Sequence, residues 1–244
     1  MTEPMNQVAI LGINFDDTTL DNFVRVLTER IDNHLRTFVV TANPEIVMYA
    51  NEHKKFAHLI NNADYIIPDG IGIILGAKLL ATPLSERVAG YDVFTRMLKW
   101  GSDNQKTAFF VGAKPNVIAD LRKVVSREYP GLTIGGTQDG YFTDEQEVAE
   151  AIRQADPDMV FVATGSPKQE EFINRNINKA EALFMGIGGS FDVLTGNVKR
   201  APKKWQDLKL EWLYRAIKEP SRFKRLAILP KYLADVAKQR INNK

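Results

Sequence analysis

The chain has 244 residues, 44% of them hydrophobic, no cysteine and a net charge of +2. That is enough for one large domain, or one domain with an appendage, around a proper buried core, and it excludes a disulfide framework. The small net charge hides an asymmetry: residues 199–244 carry 14 Lys and Arg against 4 Asp and Glu, a net of +10, which leaves 18 against 26, a net of −8, for residues 1–198.

A basic tail on an acidic body points to nucleic acid or an anionic membrane surface, with a solvated basic face as the plain alternative. The start, Met1-Thr2-Glu3-Pro4, has neither the basic residues nor the apolar core of a signal peptide, and no later run reaches the ~20 apolar residues of a membrane span. A cytoplasmic protein is expected.

In chain order, Val8-Ala9-Ile10-Leu11-Gly12 reads as a strand. Asp16-Asp17-Thr18-Thr19 reads as a cap for a helix through Leu20, Phe23, Val24 and Leu27, spaced by three and four. Thr37–Thr41 is an apolar strand running into Asn43 and Pro44. The set Ile46, Val47, Tyr49, Ala50, Ala57 and Ile60 keeps helical period and predicts one helix over 44–62. A second strand, Tyr65-Ile66-Ile67-Pro68, ends in Asp69-Gly70-Ile71-Gly72 and leads into a helix. Thr82–Gly90 is loop-like, and Val93, Phe94, Met97 and Leu98 mark the helix after it. From Thr107 the alternation is regular: strand 107–112, helix 115–128, strand 132–136, helix 144–155, strand 159–164, helix 168–177, strand 182–186. Strands separated by helices of this length predict a Rossmann-like, doubly wound, mainly parallel α/β sheet over residues 1–198.

In such a sheet ligands bind at the carboxyl ends of the strands, which is where Asp69, Thr41 and Asn43 fall. Small polar groups converging there suit a hydroxylated ligand, whose hydroxyls need partners once water is excluded. Asp69 has a second reading, as the N-cap of the following helix. Gly70 and Gly72 allow a sharp turn and a ligand close to bare main chain. Arg87 is placed either to meet an anionic substrate group or as an ordinary surface arginine. Strand ends rich in glycine, Gly112, Thr164-Gly165-Ser166 and Gly186-Ile187-Gly188-Gly189, can turn main-chain N–H groups towards a phosphate or sugar.

Other patterns carry less. Gly70-x-Gly72-x-x-x-Gly76 is one residue too long for a dinucleotide fingerprint and lacks the following strand ending in an acid. Asp156-Pro157-Asp158 has the spacing of a metal-binding carboxylate pair but precedes its strand, hence lies at the wrong end of the sheet, so no metal and no cofactor is expected. His34, His53 and His58 read as surface residues.

These motifs together resemble the WecG/TagA/CpsF glycosyltransferases, and among them the teichoic-acid members, TagA/TarA. The resemblance spans nearly the whole chain. It rests on Thr41-Ala42-Asn43-Pro44-Glu45-Ile46-Val47, Pro68-Asp69-Gly70-Ile71-Gly72, Glu86-Arg87-Val88-Ala89-Gly90, Gly140-Tyr141-Phe142, Gly165-Ser166-Pro167-Lys168-Gln169-Glu170, Gly188-Gly189-Ser190-Phe191-Asp192 and Lys199-Arg200-Ala201-Pro202. The blocks Leu210–Arg215 and Glu219–Arg225 match as well.

The resemblance implies metal-independent, inverting transfer of N-acetylmannosamine from a UDP-sugar donor to the 4-hydroxyl of the GlcNAc on a polyprenyl (undecaprenyl) diphosphate acceptor. It also implies an enzyme resting on the anionic inner face of the plasma membrane. On this reading Asp69 is the base, Thr41 and Asn43 hold a sugar in line, and Gly188, Gly189, Arg87 and the tail arginines Arg215, Arg222 and Arg225 meet the departing diphosphate. Tyr141, Gln169 and Asp192 are expected to face the nucleotide.

The rival class is a non-catalytic module whose tail binds nucleic acid. Against it, Leu210, Leu213, Ile217, Phe223, Leu226, Leu229, Leu233 and Val236 are spaced as in amphipathic helices, broken by Pro220 and Pro230. Such helices suit a membrane interface. Residues 199–244 are therefore expected to be a basic helical appendage acting as membrane contact and lid, with packing on the body or in a homo-oligomer as the alternative. A chain ended after Asn197 is expected to fold, since the alternation is complete by then.

Overall fold

The computed structural model describes residues 5–199, 201, 202, 205, 214 and 228–242. Strand β1 (Gln7–Ile10) pairs antiparallel with β2 (Ile13–Asp16); α1 (Leu20–Asp32), β3 (Thr37–Ala42), α2 (Pro44–Glu52), α3 (Lys54–Asn61), β4 (Tyr65–Pro68), α4 (Ile71–Leu79) and α5 (Gly90–Asp103) follow. Then come β5 (Thr107–Gly112), α6 (Pro115–Glu128), β6 (Thr133–Gln138), α7 (Glu145–Ala155), β7 (Met159–Ala163), α8 (Lys168–Asn176), a 3-10 turn (Ile177–Lys179), β8 (Leu183–Gly186), α9 (Ser190–Leu194) and a last helix, α10 (Ile228–Asn242).

Six of the strands form one parallel sheet in the order β4-β3-β8-β7-β5-β6. The predicted doubly wound α/β architecture is what the chain adopts. Strands β3 and β7 are buried along their whole length, as strands covered on both faces must be. Alternate residues divide between two cores. Phe38, Val40, Val160 and Val162 pack with the apolar faces of α2, α3, α4, α7, α8 and α10, while Val39, Met159 and Phe161 pack with those of α1, α5, α6 and α9.

Two local readings change. The first strand is half of a hairpin, apart from the main sheet, because Leu11 and Gly12 both take positive φ (48° and 81°) and reverse the chain in two residues. The predicted helix over 44–62 is two helices, broken where His53 turns extended (φ −127°, ψ 87°). Apolar period continues through the break, so the pattern alone does not reveal it. The cap expected in residues 16–19 is Thr19, whose hydroxyl accepts from Asn22 N at 3.3 Å, and Asp16 serves elsewhere. It is buried, accepts from Ile66 N at 2.7 Å along the outer edge of β4, and burial pushes its carboxyl above the ordinary range.

The terminal helix is built into the core. Tyr232 and Val236 are fully buried in the cluster that holds α2 and α4, and Pro230 sits in the first turn of the helix, where a missing N–H does no harm. Gly72 and Gly76 are explained by this packing. A Cβ on Gly72 would strike Pro44 and come within 2.9 Å of Leu229, and one on Gly76 would run into the Tyr232 hydroxyl. That hydroxyl has no hydrogen-bond partner among the described residues, and burial raises its pKa. Tyr232→Phe removes a buried unpaired group while keeping the ring, so it is expected to raise stability by about 1 kcal/mol, seen as a Tm a few degrees higher in thermal denaturation.

Candidate active site

The helix after β3 lies on one face of the sheet and the helix after β8 on the other, although the two strands are neighbours. The carboxyl ends of such a pair splay apart and leave a crevice, the usual ligand position in open α/β sheets. Thr41 closes its floor. Its hydroxyl, 6% exposed, donates to Gly186 O at 3.0 Å, and Gly90 lies against its methyl so closely that a Cβ there would sit 2.9 Å from Thr41 Cγ2. Thr41 thus fixes the spacing of β3 and β8. Asn43 caps α2, with Oδ1 accepting from Ile46 N at 3.0 Å, so its amide NH2 is the end it can offer a ligand.

Asp69 emerges directly beside them. Its N–H donates to Ala42 O at 2.9 Å, continuing the β3–β4 ladder one step past the last strand residue. Gly70 turns the chain at φ +103°, and a Cβ on it would lie 3.9 Å from Asn43 Cβ. Helix α4 begins after Gly70 with no side-chain cap. Asp69 is half-buried and immediately precedes the Gly70 N-cap of that helix.

Arg87 lies in the connection before α5, half-buried. That connection is pinned on both sides. Ser85 N donates to Asp17 Oδ1 at 2.6 Å, Glu86 Oε2 accepts from Leu20 N at 3.1 Å, and Val88 and Ala89 are buried ahead of Gly90. Arg87 is thereby held three residues from the contact with Thr41.

On the β8 side, Gly188 takes φ +52° and its N–H donates to Gln169 Oε1 at 3.0 Å. Gln169 is 2% exposed and fills the space where a Cβ of Gly186 would go. It braces this turn from inside, and the Gly188 N–H is already used. Gly189 is different: its φ of −81° suits any residue, and a Cβ on it would meet nothing within 4 Å. Among the described residues nothing in the packing demands glycine there. Asp192, half-buried in the first turn of α9, follows it.

Tyr141 is not part of this group. It is 67% exposed after β6, at the opposite margin of the sheet, five strands and about 24 Å from β4 at ordinary strand spacing. Arg215, Arg222 and Arg225 lie outside the described residues. Asp158 holds Thr107 N at 2.7 Å at the amino end of the sheet, away from the crevice. Among the described residues no three His, Cys, Asp or Glu side chains cluster as a metal ion requires.

Sequence reading passed over Glu170. It is fully buried in α8; Oε1 accepts from Gln169 Nε2 at 2.8 Å, and Oε2 has no partner among the described residues. Burial raises its pKa, outweighing the hydrogen bonds from Gln169 and Ser166 that act the other way. The folded chain therefore keeps this proton where the unfolded chain has lost it. The stability it contributes is full below the ordinary Glu pKa and disappears as pH rises through the raised value. Glu170→Gln is expected to gain stability over the parent as pH rises above the ordinary Glu range and to have no such advantage below it, a difference that thermal denaturation at several pH values will read.

A model of the Glycosyl transferase WecG/TagA/CpsF family matches residues 8–244. The chain belongs to this family. The glycosyltransferase is 44% identical over 239 residues to a protein of Bacillus spizizenii strain W23, covering 97% of this chain and 91% of the relative. It is 40% identical over 242 residues to one of Bacillus subtilis strain 168, covering 98% and 94%. It is also 35% identical over 237 residues to one of Staphylococcus aureus strain MW2, covering 95% and 92%. All three relatives carry the name N-acetylglucosaminyldiphosphoundecaprenol N-acetyl-beta-D-mannosaminyltransferase. A glycosyl transfer between two hydroxylated substrates suits an edge lined by a carboxyl, amide and hydroxyl groups and bare main chain. No helix among the described residues is long and apolar enough to cross a membrane.

Proposed function

We propose that this glycosyltransferase moves N-acetylmannosamine from UDP to the 4-hydroxyl of the GlcNAc on undecaprenyl diphosphate, forming the β-1,4 linkage unit of a cell-envelope polymer such as wall teichoic acid. The observation that carries the reading is the placement of Asp69, half-buried at the carboxyl end of β4 with its N–H bonded to Ala42 O, beside Thr41 and Asn43. The acceptor O4 attacks C1 of the donor sugar from the side opposite the diphosphate. The C1–O bond to the β-phosphate breaks, the configuration at C1 inverts, and Asp69 takes the O4 proton. UDP leaves with the bonding electrons.

Asn43 steadies a sugar hydroxyl beside Asp69, and Thr41 holds the floor on which both stand, so that the reacting atoms are kept in line. Charge growing on the diphosphate meets the Gly189 N–H, the Arg87 guanidinium and, from the tail, Arg215, Arg222 and Arg225. Asp192 accepts the ribose hydroxyls. Gln169 acts from behind. An assay of UDP release tests the reaction: release is expected only when donor and lipid acceptor are both present, and equal release without acceptor contradicts it.

The enzyme works as a peripheral protein on the cytoplasmic face of the plasma membrane, with residues 199–244 as the contact. Each Lys or Arg near an anionic surface adds about 1 kcal/mol, screened within a Debye length. Flotation with anionic vesicles is expected at low salt and is expected to fade as salt rises. A gel shift with nucleic acid in place of flotation would contradict the membrane assignment.

A further inference from the structure

A buried chain of hydrogen bonds runs from Glu170 through Gln169 to the turn between β8 and α9. Gln169 Nε2 donates to Glu170 Oε1 at 2.8 Å, and Gly188 N donates to Gln169 Oε1 at 3.0 Å. Both side chains are closed off from the crevice, at 2% and 0% exposure.

A primary amide has a donor end and an acceptor end of nearly the same shape, and only its partners decide which way it points. Gly188 N–H needs the acceptor end. Glu170 Oε1 is an acceptor in either protonation state, so it claims the NH2 end and leaves the oxygen for Gly188. Without that acceptor the amide loses its reason to face this way, and a turned amide would set NH2 against N–H at the turn. The turn is also tied at Ile187, whose carbonyl accepts from Ser190 N at 3.2 Å and Ser190 Oγ at 2.7 Å, but the Gly188 N–H itself is held by Gln169 Oε1.

We propose that Glu170 is a positioning residue for the glycosyl transfer: acting through Gln169, it holds the Gly188 turn and thereby aims the Gly189 N–H at the donor's diphosphate. The role in the reaction rests on the reading of Gly189 given above, while the brace itself can be observed without any substrate.

The test uses the full chain with Glu170→Ala and Glu170→Gln, and reads amide hydrogen exchange at Gly188 alongside kcat and KM. Glutamine keeps an acceptor oxygen at the same reach, so Glu170→Gln is expected to match the parent in both. In Glu170→Ala, Gly188 is expected to exchange about tenfold faster, the weight of one net hydrogen bond. KM for the UDP-sugar is expected to rise by a similar factor, with kcat changed less and the acceptor KM unchanged. Should the alanine variant fail to fold, Glu170→Asp, which withdraws the carboxyl by one methylene, is expected to show the same two changes.

Parent-like exchange at Gly188 in the alanine or aspartate variant overturns the brace. A glutamine variant as impaired as alanine overturns it too, since the acid itself would then be what matters. Faster exchange with an unchanged donor KM sustains the brace and overturns the assignment of Gly189 to the diphosphate.

Discussion

Asp69→Asn is expected to lower sugar transfer by at least ~10²-fold, the low end for loss of a general base, while UDP binding stays near that of the parent. Asparagine has the same shape and can still accept a hydrogen bond from the acceptor hydroxyl, but it cannot take its proton. The bond from residue 69 to Ala42 O is made by the main chain, and Gly70 supplies the turn. Calorimetry with UDP and a transfer assay on one preparation separate binding from chemistry. Near-parent turnover in Asp69→Asn would remove Asp69 from the reaction.

A chain ended after Asn197 is expected to lose transfer and also to lose stability. The strand and helix alternation is complete by that point, which makes the body look self-sufficient in the sequence. The structure shows what such a chain would lack. Tyr232 and Val236 are fully buried against α2 and α4, and Gly72 and Gly76 are shaped to receive α10. Emptying the place of one buried aromatic costs about 3–5 kcal/mol, and in a chain of this size that lowers Tm by roughly 10 °C. It would also uncover the side of α4, the helix that starts two residues after Asp69. A truncated chain with the Tm of the parent would show that α10 adds nothing to the body. One that transfers sugar to a water-soluble acceptor at the full rate would remove Arg215, Arg222 and Arg225 from the catalytic site and leave the tail as an anchor.

The sheet was legible wherever period and punctuation agree. Thr107–Gly112 and Pro115–Glu128 fall where the alternation and the Pro at the first helical turn put them. The hairpin was hidden because its turn is Leu11-Gly12 and not a pair that announces positive φ, and the break at His53 because apolar spacing does not register one extended residue.

The site was legible on its outer side. Asp69, Thr41 and Asn43 each follow an apolar run at a strand end, so chemistry and topology coincide. Its inner side was not. Gln169 is expected from the sequence to face the nucleotide and Glu170 has no role there, and only the helical spacing of Gln169, Phe172, Ile173 and Asn176, all buried, hints that this face turns inward. The distance to Tyr141 was equally unreadable, because alternation predicts that strands lie in one sheet without giving their order, and the order puts β6 at the far margin.

The central claim is the sugar and the bond it makes. The direct measurement offers the full chain a panel of radiolabelled UDP-sugars with a synthetic GlcNAc diphospholipid and follows the label into lipid-linked disaccharide. The account predicts label from UDP-N-acetylmannosamine, joined β to O4 of the GlcNAc. Label entering from another UDP-sugar instead, an α linkage, or none entering the lipid from any donor, would contradict it.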